Sequence, residues 1–99
     1  MIPTVPDFTI AQLETFIACK GRLRLAGLRA HVDALDTGEV IAVYRPRNPN
    51  EWLWSVGPTK GGRVIVTALP SGAEYELPSV DAALDWIAAE ELTECALGA

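Results

Sequence analysis

The chain reads as a small α+β domain: an antiparallel meander of four to five strands, covered on one face by N- and C-terminal helices, in the order αβββββα. Three observations predict this class. Helix-start signals stand near both ends, and short glycine-bearing loops separate β-branched and aromatic runs between them. A length of 99 residues leaves room for one core, so residues 1–99 form a single domain.

Thr9 and Gln12 have capping-box spacing, and Phe8 and Leu13 stand at the two positions of a hydrophobic staple. A helix over about residues 9–20 follows, with Ile10, Leu13, Phe16 and Ile17 on its apolar face and Gly21 placed to end it in a left-handed conformation.

From Arg22 to Leu35 the pattern fits two periods. Leu25, Leu28, Val32 and Leu35 make a helical stripe, whereas Leu28, Ala30, Val32 and Ala34 alternate as in a strand. The strand is preferred because Asp36-Thr37-Gly38 then reads as a three-residue hairpin loop with left-handed glycine. That register sets Ala34 opposite Val40, Val32 opposite Ala42 and Ala30 opposite Tyr44, with Ala26-Gly27 as a bulge or bend.

Arg45 to Asn50 holds two prolines and two asparagines and is a surface loop. Glu51–Val56 and Arg63–Leu69 read as hairpin partners across the glycine-rich stretch Gly57–Gly62. Pro70-Ser71-Gly72 closes the next hairpin, pairing Leu69 with Ala73, Thr67 with Tyr75 and Ile65 with Leu77. Pro78 then breaks the strand and Ser79 caps a final helix, lined inside by Val80, Ala83, Leu84, Ile87 and Leu92.

Composition excludes several classes. Hydrophobic residues at 49% and charged ones at 21% argue against disorder. No apolar run approaches the ~18 residues a membrane helix needs, and the first eight residues do not read as a secretion signal, so a cytoplasmic protein without membrane association is expected. Cys19 and Cys95 read as free thiols, with the option of pairing if the two helices lie side by side.

Chemistry-bearing motifs are scarce. One histidine and two distant cysteines cannot build a structural zinc site, and His31, between Arg29 and Asp33, reads as a solvent-facing side chain. The loop with Lys60 lacks the Gly-Lys-Ser/Thr ending of a phosphate loop and joins two strands. No carboxylates converge in the pattern as an acid-base pair would. The expectation is a non-enzyme with no metal and no cofactor.

Charge and aromatics are unevenly placed. The net charge is −5, yet all eight lysines and arginines fall between Lys20 and Arg63, a segment with only four of the thirteen acids. Tyr44, Arg45, Arg47, Trp52, Trp54 and Arg63 bring together the residue types that anchor interfaces. Trp86 adds a second candidate, on a helix face with Ala82, Ala89 and Thr93 roughly opposite the core stripe.

The reading these features favour is a small adaptor, inhibitor or regulatory domain that binds another protein, of the kind carried by phages and mobile elements. A homodimer through paired C-terminal helices is a variant of it. Single-stranded nucleic acid on the basic aromatic strands is the first alternative, disfavoured by a pI near 4.7. The second is a small-ligand module in which Tyr44, Trp52 and Trp54 line a pocket between sheet and helices.

Overall fold

The computed structural model describes residues 5–98, with side chains described through Thr93. Helix α1 (Ile10–Cys19) leads into a 3-10 segment (Lys20–Ala26). Five strands follow: β1 (Arg29–Leu35), β2 (Gly38–Tyr44), β3 (Trp52–Pro58), β4 (Val64–Ala68) and β5 (Glu74–Leu77). Helix α2 (Val80–Gly98) closes the chain. The strands form one antiparallel sheet in sequential order, a meander, with both helices on the same face, as the sequence predicts.

The capping box of α1 is complete: the Gln12 amide donates to Thr9 Oγ1 at 3.1 Å, and Thr9 N–H donates to Gln12 Oε1 at 2.8 Å. Two otherwise unpaired helix-end groups are satisfied this way. Thr9→Ala is expected to lower stability by about 1 kcal/mol in urea titration. The buried face of α1 differs from the expected stripe. Phe16 and Cys19 are buried and Leu13 packs beside them, whereas Ile10 and Ile17 are 77% and 65% exposed. The stripe runs from Leu13 through Phe16 and Cys19 to Leu23 and Ala26, because the chain keeps coiling past Gly21. Gly21 does not end the helix. Gly27 does, at φ +75°, donating its N–H to Arg24 O.

The ambiguous stretch thus divides into a helical half and a strand half, and the expected bulge at Ala26-Gly27 is a helix terminator. Leu23 and Leu28, fully buried on either side of it, are the two anchors.

Both outer hairpins sit one residue off the expected register. Leu35 pairs Gly38 across a two-residue turn, so Val32 faces Ile41, Ala30 faces Val43 and Tyr44 faces Arg29. In the β4–β5 hairpin Val66 faces Tyr75, Thr67 faces Glu74 and Val64 faces Leu77. Leu69 leaves this hairpin and donates its N–H to Leu53 O of β3 at 2.9 Å, which lengthens the loop by one residue. The first slip has its cause in a contact distant in sequence. Gly38, at φ +133°, lies under Pro6: a Cβ there would meet Pro6 O at 2.3 Å, and Glu39 N–H donates to that oxygen at 2.6 Å. The entering chain therefore crosses the sheet end at a place only glycine can occupy.

Ser79 caps α2, its Oγ accepting from the Ala82 amide at 3.2 Å. Val80, Ala83, Leu84 and Ile87 are buried as expected. Leu92 is not; it is 50% exposed, and the next core position is taken by Glu91, 2% exposed. Cys19 is buried with a free thiol, and Cys95 lies outside the residues with described side chains. Among the described residues no helix is long and apolar enough to cross a membrane.

Candidate functional site

One irregularity in the sheet decides where the aromatics go. Residues two apart on a regular strand share a face, so Trp52 and Trp54 would point the same way. Between β2 and β3, however, Val43 pairs Trp54 and Tyr44 pairs Trp52, leaving Leu53 as an extra residue in β3. This bulge turns Trp52 to the helix-free face while Trp54 stays on the helix side. Tyr44 and Trp52 pair directly and share that open face with His31.

On the open face the His31 and Tyr44 rings lie 5.2 Å apart with their planes tilted by 60°, and His31 meets Trp52 edge-on at 6.3 Å. His31 is exposed, while Tyr44 and Trp52 are half-buried. The expectation of an outward His31 holds, and the imidazole Nε2 lies 3.8 Å from Asp33 Oδ2. Arg29, cross-strand partner of Tyr44, joins this cluster to Lys20 and Arg24, with which it lines a small hollow at the start of β1. Arg47 is exposed in the loop that follows Tyr44. Aromatic rings and cations therefore meet at one end of the sheet.

On the other face Trp54 meets Trp86 edge-on at 5.4 Å, and Tyr75 lies 4.8 Å from Trp86. Trp86 thus docks on β3 and β5, neither opposite the core stripe nor against α1, while Ala89 and Thr93 beyond it are exposed. Such edge-on pairs stabilise by about 0.5–1.5 kcal/mol beyond area burial, which marks this cluster as part of the fold.

The basic residues separate as well. Arg63 pairs with Glu76 across β4–β5, at the far end of the sheet from Arg45. Arg45 reaches under the sheet end to α2, its Nη2 2.5 Å from Glu91 Oε1. Arg22, which also belongs to the basic segment, is held by both oxygens of Asp85 at 2.9 and 3.1 Å.

A cleft of about 240 Å³ opens beside the Arg45–Glu91 pair, lined by Leu53, Trp54, Ala68, Leu69 and Ser71. The pocket expected from Tyr44, Trp52 and Trp54 together does not form, since the bulge puts Trp54 alone on this side. Glu91 was legible as a core position, because Val80, Leu84, Ile87 and Glu91 follow one another at spacings of four, three and four. Its carboxylate diverted the expected stripe to Leu92.

Comparison with known protein families, with curated proteins and with solved structures gives no match for this chain.

Proposed function

We propose that this chain is a non-enzymatic protein-binding domain whose helix-free sheet face takes an acidic segment of a partner protein. The observation that carries the reading is the cluster of His31, Tyr44 and Trp52 on a face that no helix among the described residues covers, with Arg29 as the cross-strand partner of Tyr44 and Lys20 and Arg24 beside Arg29 at the start of β1. Half-exposed Tyr and Trp beside Arg are the residue types that dominate interface energetics. The cations around them steer and align a negatively charged partner. A cytoplasmic setting suits this role, with the partner an intracellular protein.

Single-stranded nucleic acid is the competing occupant, favoured by the same aromatics and disfavoured by two facts. The rings are packed against one another and are not spaced to stack successive bases, and Arg45 and Arg63 are already matched by Glu91 and Glu76. The test is selection of displayed random peptides on the immobilised protein, with oligothymidylate as a separate probe. Acidic peptides with an apolar anchor are expected to be enriched. The Tyr44→Ala, Trp52→Ala double variant should bind them about 30-fold more weakly, the scale of two interface truncations at about 1 kcal/mol each. Salt-sensitive oligothymidylate binding without acidic peptides would replace this reading with the nucleic-acid one. Self-enrichment, seen as concentration-dependent dimers in light scattering, would replace it with a homodimer.

A further inference from the structure

Glu91 is the least expected residue in the interior. Its side chain is 2% exposed at a core position of α2, and its Oε1 is the buried side-chain oxygen that accepts no hydrogen bond among the described residues. Arg45 Nη2 lies only 2.5 Å away, so charge is balanced, but its N–H groups are not aimed along that line. Arg45 itself is 48% exposed and begins the Arg45–Glu51 loop, so its guanidinium borders water on the side away from the carboxylate.

We infer that the cleft between β3, the β4–β5 loop and α2 is a binding site for a free α-amino acid with an apolar side chain. Three chemistries meet in it. The Glu91 carboxylate offers a buried negative charge whose partner, Arg45, is half exposed, and an ammonium group can replace that partner. The Arg45 guanidinium, displaced from Glu91, offers paired donors for a carboxylate. Leu53, Trp54, Ala68 and Leu69 supply an apolar wall, and the volume of about 240 Å³ suits a molecule of this size. A ligand carrying both charges on one carbon takes over both halves of the ion pair, so neither charge is left buried alone. Ser71, whose hydroxyl makes only contacts of 3.4 and 3.5 Å, completes the polar rim. The site lies on the helix side, with the sheet between it and the open aromatic face, and stands or falls separately from the protein-binding surface.

The test is isothermal titration calorimetry of the intact chain with L-leucine, L-methionine and L-phenylalanine, then with isoamylamine and 4-methylpentanoate, which each keep one charge of leucine. At least one amino acid is expected to bind saturably, and the analogues of leucine to bind at least about tenfold more weakly than leucine if leucine binds. Glu91→Gln should abolish discrimination against 4-methylpentanoate and Arg45→Ala discrimination against isoamylamine, each checked for retained fold by circular dichroism. Absence of saturable heat for all three amino acids with folded wild type overturns the site. Isoamylamine binding as tightly as leucine overturns it too, because the cleft would then be a cation site.

Discussion

Replacing Gly38 by alanine is expected to destabilise the protein by about 3 kcal/mol, lowering its melting temperature by roughly 15 °C. Two penalties coincide there. The residue sits at φ +133°, where an L side chain is strained, and the new Cβ would overlap Pro6 O at 2.3 Å and Pro6 Cα at 2.7 Å, both backbone atoms with no rotamer to yield. Relief requires lifting the entering strap, which is tied by Glu39 N–H to Pro6 O, by Val5 N–H to Pro58 O at 3.2 Å, and by Phe8 N–H to Glu39 Oε1 at 3.1 Å. Phe8, 6% exposed, would be drawn out with it. Gly57→Ala is the control: nothing lies within 4 Å of its would-be Cβ, and its φ is ordinary. It should move stability by about 0.5 kcal/mol at most. Calorimetric melting of the two variants separates them.

Arg45→Ala carries the second large effect. Removing a partner from a deeply buried ion pair costs about 3–5 kcal/mol because an uncompensated charge is left inside. Arg45 is half exposed, so water replaces part of what it supplies, and a loss of about 2 kcal/mol is expected. The loss should shrink to under about 1 kcal/mol when Glu91→Gln is made in the same chain, since the orphaned charge is then gone. Urea unfolding of the two single variants and the double variant measures this coupling. Equal losses with and without Glu91→Gln would show that Arg45 contributes only its packing.

The architecture was legible where local signals agree. The Thr9-Gln12 box, the Ser79 cap and the short loops flanking β-branched runs each have one physical reading, and together they leave only the meander with helices on one face. The registers were not legible, because each hairpin loop can be closed with one residue more or fewer using the same turn residues. What chose between them lies far away in sequence: Pro6 against Gly38 in one hairpin, Leu53 against Leu69 in the other. The candidate surface depended on the same kind of information. Tyr44, Trp52 and Trp54 were identifiable as interface types, but one extra residue at Leu53 sorts the two tryptophans onto opposite faces, and alternation cannot reveal a bulge. Ile10 and Ile17 were assigned inward because they recur with Leu13 and Phe16 at three- and four-residue intervals, whereas the buried side runs from Leu13 and Phe16 to Cys19 and on to Leu23 of the 3-10 segment. His31 was read outward, yet its place beside Tyr44 and Trp52 emerges only from cross-strand pairing.

The protein's three tryptophans give three indole N–H signals, which makes the division between open-face aromatics and fold-internal aromatics directly readable. In a two-dimensional ¹H–¹⁵N spectrum of the labelled protein, assigned with Trp→Phe variants, an acidic peptide taken from the display selection should shift the Trp52 signal and leave those of Trp54 and Trp86 in place. Movement of Trp54 and Trp86 with Trp52 unmoved would contradict the assignment of the helix-free face as the binding surface.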